Sequence, residues 1–211
     1  MNIPTKITVS RIVAIIGMLI ALFILELLGQ SGLFVDFYLG NSGVSLVRLI
    51  LCFFFIVAAF TDLVDGYLAR KWHQVTDLGK FLDPIADKLL VDCMLIFLVI
   101  QSSYGKDDML IPVFAVILMI ARDLVIDGLR SLAASKNVVL AANMFGKIKT
   151  VCQMVAIPVV MLNGWPFSYF DASWGQGRIG LILIYIATAA SLLSGLFYLV
   201  DNRAIFKENK K

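Results

Sequence analysis

Residues 46–70 read LVRLILCFFFIVAAFTDLVDGYLAR, an apolar run that passes without a break into a segment with two aspartates, a glycine and an arginine. The apolar part is shorter than the roughly 20 residues that a helix needs to cross the hydrocarbon core of a membrane. Asp62 and Asp65 are therefore expected in the same helix, at one of its ends. Ionisable groups at that depth face a bundle interior or a wet cavity and are functional candidates.

The composition of the whole chain explains why membrane helices are expected. Hydrophobic residues make up 60% of the 211 residues and charged residues only 16%, and the mean hydropathy is +0.91. A soluble domain carries about 25% charged residues, so a soluble globular protein is excluded, and so is a disordered chain. Cys52, Cys93 and Cys152 lie in apolar stretches without a CxxC pair, which predicts buried thiols rather than a disulfide or zinc site.

Six apolar segments follow one another, near residues 12–28, 46–61, 89–102, 109–121, 150–162 and 179–200. Of the 18 lysines and arginines, only Arg48, Lys106 and Arg178 lie in or beside the connections after the first, third and fifth segments. By the positive-inside rule, the termini and the other connections are cytosolic. The predicted fold is an all-α, multi-pass protein of the cell membrane with six transmembrane helices. It forms a single domain over residues 1–211, with both termini and a polar, metal-containing cavity on the cytosolic side.

Four aspartates stand where two of these helices reach the cytosol. Asp62 and Asp65 share one face of a helix, and Asp83 and Asp87 share a face of the next. The short connection makes the helices antiparallel neighbours, so the acidic faces can oppose. Carboxylates crowded in a poorly hydrated site repel each other, so either they take up protons or cations neutralise them. An all-carboxylate set favours hard cations such as Mg²⁺ or Mn²⁺, and four acids could hold two of them.

Small residues accompany the acids. Gly66 and Ala69 lie on the same helix face as Asp62 and Asp65. They leave room for a flat ligand or a diphosphate to approach the backbone, although close packing between membrane helices is the alternative explanation.

A basic cluster is predicted at the cytosolic ends of the fourth and fifth segments, within residues 121–150. It consists of Arg122, Arg130, Lys147 and Lys149. Such a cluster suits a water-soluble acceptor that carries a phosphate, whereas positive-inside anchoring is the alternative. Lys147 and Lys149 point about 200° apart on a regular helix, so both can face one phosphate only if the helix end is unwound.

The pattern D-x2-D-G-x2-A-R-x8-G-x3-D-x3-D, from Asp62 to Asp87, resembles the signature of the CDP-alcohol phosphotransferases. Further blocks at residues 2–8, 79–89, 121–130 and 146–150 resemble members that use CDP-diacylglycerol as donor and glycerol 3-phosphate as acceptor. The resemblance implies six membrane helices, a homodimer and two divalent metal ions, Mg²⁺ or Mn²⁺. It also implies transfer of a phosphatidyl group to an alcohol with release of CMP, and no nucleic-acid partner is expected.

Carried over onto this sequence, the resemblance assigns a role to each motif position. Asp62, Asp65 and Asp83 resemble metal ligands, and Asp87 resembles both a ligand and a general base. Donor contacts are implied at Thr5, Thr8, Gly66, Ala69, Arg70, Thr76 and Gly79. Helix capping is the alternative for Thr5 and Thr8. The acceptor contacts expected from charge are Arg122, Arg130, Lys147 and Lys149.

Other functions compete with this interpretation. The same chemistry with serine, inositol phosphate or phosphatidylglycerol as acceptor is the nearest. An ion-coupled transporter is a rival from another class, because intramembrane acids also form proton or cation relays. It predicts acids near the bilayer midplane and two related halves, whereas here the acids cluster at one end and the motif occurs once. A structural or lipid-scaffold role would suit a degenerate motif, but every motif position is occupied.

Overall fold

The computed structural model describes residues 3–30, 44–71, 76–104, 111–136, 138, 144–165 and 178–203. Over these ranges the chain forms helices and no strand, which confirms the all-helical fold class. The helices are α1 (Ile3–Gln30), α2 (Leu46–Lys71), α3 (Asp77–Tyr104), α4 (Val113–Ser135), α5 (Met144–Met161) and α6 (Arg178–Asp201). Each predicted apolar segment corresponds to one helix. Lys106, which helps to orient the predicted topology, lies outside the described residues.

Four of the helices are longer than their apolar runs, as the short runs predict. α2 continues past Asp62 to Lys71, and α3 already begins at Asp77. α4 extends to Ser135, and α5 begins at Met144. The charged turns are therefore continuous with the apolar ones, and the charged side chains project from regular helices.

Polarity is distributed in the opposite sense to that of a soluble protein. Phe53 and Phe114 expose 71% and 79% of their area, whereas Arg11, Asp123 and Lys149 are at most 9% exposed. Large apolar groups stay outside only where the surroundings are themselves apolar. Among the described residues, three helical segments are long and apolar enough to cross a membrane, Thr5–Leu25, Met144–Met161 and Arg178–Asp201. The chain is a membrane protein.

The chain divides into two compact units. The first consists of Met1–Leu98 and Met161–Asn163, and the second of Val99–Val160 and Gly164–Lys211. α1 and α2 pack together in the first unit, and α4 and α6 pack together in the second. The prediction of a single domain stays a prediction.

Each unit has an apolar interior. In the first, Ile15 on α1 and Met94 on α3 are completely buried. In the second, α4 and α6 form a buried cluster of Ile126, Leu129, Ala133 and Tyr198. Polar side chains that enter these interiors must find partners within them, because an unpaired buried polar group costs free energy.

Candidate active site

The first turns of α1 bury a polar stripe. Thr5, Thr8 and Arg11 follow one another at intervals of three residues, which places them along one side of the helix. Their exposed fractions are 3%, 2% and 5%. Thr5 and Thr8 lie inside α1 and do not cap it, since the helix begins at Ile3. Their partners lie on other helices of the first unit.

Two threonines meet where α3 begins. Oγ1 of Thr5 lies 2.7 Å from Oγ1 of Thr76, and Oγ1 of Thr76 accepts a 3.0 Å hydrogen bond from the amide of Gly79. Thr76 therefore caps α3. A Cβ atom at Gly79 would lie only 3.1 Å from Oγ1 of Thr76, so the glycine allows this close approach. The structure brings three predicted donor-binding residues together at one corner.

The rest of the stripe contacts three of the four predicted aspartates. Oγ1 of Thr8 donates a 2.8 Å hydrogen bond to Oδ1 of Asp83. Nη1 of Arg11 forms a salt bridge with Asp62 and lies 3.5 Å from Oδ1 of Asp87. The Arg11 side chain is 3% exposed, and those of Asp62 and Asp87 are 26% and 45% exposed. A buried cation thus joins two carboxylates that reach solvent-accessible space.

Among the contacts that the structure describes here, negative charge is in excess in this acidic cluster. Three carboxylates, those of Asp62, Asp83 and Asp87, accompany the positive charge of Arg11. The guanidinium occupies a cation position between two carboxylates, and carboxylate oxygens are the ligands that divalent cations such as Mg²⁺ and Mn²⁺ prefer. Among the side chains that the structure describes, no three acidic, histidine or cysteine groups are arranged to hold a metal ion. Metal binding therefore stays a prediction.

The other signature residues lie on the last turns of α2. Asp65, Ala69 and Arg70 belong to this helix, but their side chains lie outside the described part of the structure. Gly66 is half-buried, and a Cβ atom there would meet no heavy atom of the described residues within 4 Å. The space beside Gly66 is compatible with the approach of a ligand.

Arg11 is not predicted from the sequence as a site residue. The positive-inside rule already accounts for a basic residue ahead of the first apolar segment. Its spacing from Thr5 and Thr8 is the signal that could have identified it, because a three-residue polar repeat in an otherwise apolar helix predicts a buried polar face.

In the second unit, one buried carboxylate binds two cations. Asp123 on α4 is 5% exposed. Nη1 of Arg122 donates a 2.7 Å hydrogen bond to its Oδ1, and Nζ of Lys149 on α5 donates to its Oδ2. Among the three side chains of this basic cluster, Arg122, Asp123 and Lys149, positive charge is in excess, which suits an anionic ligand.

The two other predicted acceptor residues lie apart from Asp123. Lys147 is exposed while Lys149 is buried, in agreement with the angle expected between them on a helix. Nε of Arg130 donates a 3.3 Å hydrogen bond to Oη of Tyr198, and its guanidinium carbon lies 5.6 Å from the ring centroid. The structure therefore brings Arg122 and Lys149 together and holds Arg130 at Tyr198.

α6 supplies groups that hold Arg122. Nη2 of Arg122 donates a 2.7 Å hydrogen bond to Oγ of Ser194, and the side chain lies against Gly195. Neither residue is predicted from the sequence, because this segment reads as an apolar span. The missed signal is a buried stripe of small or polar residues on one helix face, Thr188, Ser191, Ser194, Gly195 and Tyr198.

Comparisons with known proteins agree with these features. The CDP-alcohol phosphatidyltransferase family profile matches residues 1–196. A Bacillus subtilis (strain 168) protein named CDP-diacylglycerol–glycerol-3-phosphate 3-phosphatidyltransferase is 37% identical, with 95% of each chain covered. Proteins with the same name from Rickettsia felis and Shigella flexneri serotype 5b are 32% and 34% identical, over 93% and 96% of each chain. Because the match includes the acidic signature and nearly the whole length, the chain belongs to the CDP-alcohol phosphatidyltransferase family.

Proposed function

We propose that the protein transfers the phosphatidyl group of CDP-diacylglycerol to glycerol 3-phosphate, which produces phosphatidylglycerophosphate and CMP. The observation that carries this assignment is full-length similarity to relatives named for this reaction, with 37% identity over 95% of the chain in one case. The protein is thus a transferase of phospholipid biosynthesis. The opposite charges of its two clusters support the same assignment, because the reaction needs a cation-assisted diphosphate and a phosphate-bearing acceptor.

The reaction breaks the phosphoanhydride bond of the donor and forms a phosphoester bond to the acceptor. A hydroxyl oxygen of glycerol 3-phosphate bonds to the phosphorus of the phosphatidyl group. The bond from that phosphorus to the bridging oxygen breaks, and CMP leaves with the electron pair. Asp87 takes the hydroxyl proton as general base. Direct displacement needs no covalent enzyme intermediate.

The acidic cluster is the proposed donor site. Asp62, Asp65, Asp83 and Asp87 hold the divalent cations, Mg²⁺ or Mn²⁺. When bound, these ions supply positive charge that offsets the diphosphate and the leaving CMP. Arg11 keeps Asp62 and Asp87 close to each other, as the salt bridges indicate. The remaining donor contacts are Thr5, Thr8, Gly66, Ala69, Arg70, Thr76 and Gly79.

The basic cluster is the proposed acceptor site. Arg122 and Lys149 bind the phosphate of glycerol 3-phosphate, and Asp123 orients both of them through its two oxygens. Arg130 and Lys147 remain proposed contacts of the acceptor. A guanidinium and an ammonium together bind phosphate through several charge-assisted hydrogen bonds.

CMP release tests this function. Purified protein with CDP-diacylglycerol and glycerol 3-phosphate should release CMP in the presence of Mg²⁺ or Mn²⁺ and stop when excess chelator is added. Serine, inositol phosphate and phosphatidylglycerol, each offered in place of glycerol 3-phosphate, should give only background release. If CMP is released faster with one of these acceptors, that compound and not glycerol 3-phosphate is the acceptor. Undiminished turnover in excess chelator would refute the metal requirement.

The proposed arrangement in the membrane has six crossings, both termini in the cytosol and a homodimer. Cysteine labelling tests the orientation in a variant without the three natural cysteines. Lys136→Cys, after α4, should react with a membrane-impermeant reagent only from the cytosolic side, and Trp165→Cys, after α5, only from outside. Labelling of both positions from the same side would contradict the topology. Light scattering of the detergent-solubilised protein measures the oligomeric state.

A further inference from the structure

The stem of Arg122 lies directly on the backbone of α6. A Cβ atom built on Gly195 would lie 2.8 Å from Cγ, 3.1 Å from Nε and 3.5 Å from Cδ of Arg122. The first two distances are shorter than ordinary van der Waals contact, so any side chain at this position would displace the arginine. Glycine is thus needed here for a close approach between a helix backbone and a charged side chain.

The head of Arg122 is fixed from two directions. Nη2 donates to Oγ of Ser194 and Nη1 donates to Oδ1 of Asp123, both at 2.7 Å. The side chain is 13% exposed. An arginine held in this way has already lost most of its rotamer freedom, so a ligand that binds it does not have to order it.

One polar atom of this arginine and one of α6 lack partners within the described residues. Nε of Arg122 is buried without a hydrogen-bond acceptor. Oγ of Ser191, one turn earlier than Ser194 on the same face of α6, is also buried without a partner. A buried donor left unpaired costs free energy, and an oxygen-rich ligand would satisfy it. Together with the excess positive charge of Arg122 and Lys149 over Asp123, this points to an anion.

We propose that Gly195 and Ser194 are positioning residues that hold the guanidinium of Arg122 in place for the phosphate of the acceptor. The inference rests on the proposed function, in which Arg122 binds glycerol 3-phosphate. Gly195 provides the space for the arginine stem, and Ser194 fixes one of its terminal nitrogens. A methyl group at residue 195 therefore acts on acceptor binding through Arg122.

Small residues also allow membrane helices to pack closely, and the test must separate that role from positioning. If Gly195 served only helix packing, Gly195→Ala would lower the unfolding temperature and change the KM values of donor and acceptor alike. A positioning role instead predicts a change confined to the acceptor, because displacement of a binding group by about 1 Å is enough to weaken its interaction severely.

Gly128→Ala is the matched control. Gly128 lies on α4 in the same unit, and a Cβ atom there would meet no heavy atom within 4 Å among the described residues. Both substitutions add one methyl group to a helical glycine, so intrinsic helix propensity changes equally. Only Gly195→Ala introduces a collision with Arg122.

The kinetic test uses the full-length protein in detergent. Gly195→Ala should raise the KM for glycerol 3-phosphate by about tenfold or more and leave the KM for CDP-diacylglycerol within about twofold. Ser194→Ala removes one hydrogen bond and should raise the acceptor KM by about fivefold. Gly128→Ala should match the wild type. Equal increases in both KM values, or a Gly195→Ala variant that behaves like Gly128→Ala, would overturn the proposal.

A binding test separates this inference from the proposed function. Inorganic phosphate should raise the unfolding temperature of the wild type and of Gly128→Ala, but not that of Gly195→Ala. If the wild type responds to phosphate yet does not use glycerol 3-phosphate, the function fails and the positioning role survives. An intact phosphate response in Gly195→Ala would refute the positioning role alone. A wild type that shows neither a phosphate response nor turnover would refute both the positioning role and the proposed function. If Gly195→Ala does not fold, an unchanged acceptor KM in Ser194→Ala is sufficient to refute the inference.

Discussion

The two units of the protein contain ion-pair networks of opposite sign. In the first unit one buried cation, Arg11, contacts the carboxylates of Asp62 and Asp87. In the second unit one buried anion, Asp123, contacts the cations Arg122 and Lys149. Among the described residues, each network has one central charge and leaves the opposite charge in excess.

The difference indicates how a helical membrane protein can hold two buried clusters of opposite excess charge. Buried charges of one sign repel each other and are costly to desolvate. A central residue of opposite sign lowers that cost without cancelling the charge completely. In the proposed function, the excess charge determines the ligand, a divalent cation in the acidic cluster and a phosphate in the basic cluster. The following predictions test this contrast, beginning with the largest effect.

Asp87→Asn should abolish the chemistry that the acidic cluster supports. The amide can neither accept the acceptor's proton nor neutralise a cation, so we expect turnover to fall by about 1,000-fold, measured as CMP release. Asp201→Asn provides the control, since Asp201 is an exposed aspartate at the end of α6. Near-normal turnover in Asp87→Asn would remove the residue from the reaction.

Arg11→Gln should destabilise the first unit because it leaves the carboxylates without their cation. Since Asp62 and Asp87 are partly exposed, we expect a loss of about 2 kcal/mol rather than the full cost of breaking a buried pair. Thermal unfolding in detergent measures this loss, with Arg178→Gln, an exposed arginine on α6, as control. Mn²⁺ should stabilise Arg11→Gln more than the wild type, and an equal response would contradict a cation position shared with Arg11.

Lys149→Met should weaken the basic cluster. We expect the KM for glycerol 3-phosphate to rise by about tenfold, with the donor KM unchanged, because Lys149 is buried against Asp123. Lys147→Met should have a smaller effect, since Lys147 is exposed on the same helix. A larger effect from Lys147→Met would mean that the acceptor binds on the other face of α5.

Gly66→Ala should have the smallest effect, confined to the donor. The new methyl group meets no described atom, so stability should hold or increase slightly. If the donor occupies this space, its KM should rise by about fivefold. Gly17→Ala on α1 is the matched control, because its Cβ is equally unobstructed. Identical KM values for the donor in the two variants would show that the donor does not bind beside Gly66.

Much of the fold follows from the sequence because hydropathy and charge act over whole segments. The short apolar run before Asp62 predicts that helix continues into the charged turns, and α2 does so. The spacing of Lys147 and Lys149 predicts that they point to different sides of a regular helix, and the structure agrees, since Lys147 is exposed and Lys149 is buried. These predictions succeed because they depend only on helical period and membrane thickness.

Individual partners are harder to predict, because they depend on how helices pack against one another. Arg11 reads as a flanking positive charge, yet it contacts two aspartates more than fifty residues away along the chain. Ser194 and Gly195 read as part of an apolar span, and only the packing of α6 on α4 reveals that they hold Arg122. The roles of Asp65, Ala69 and Arg70 remain predictions, as their side chains lie outside the described residues.

The position of Arg11 also bears on how the chain is made. Because the guanidinium is part of the polypeptide, the newly inserted protein brings its own counter-charge for Asp62 and Asp87. Those acids can enter the bilayer boundary without waiting for an inorganic ion. In the proposed function, folding of the chain and later loading with divalent cations are therefore separable events.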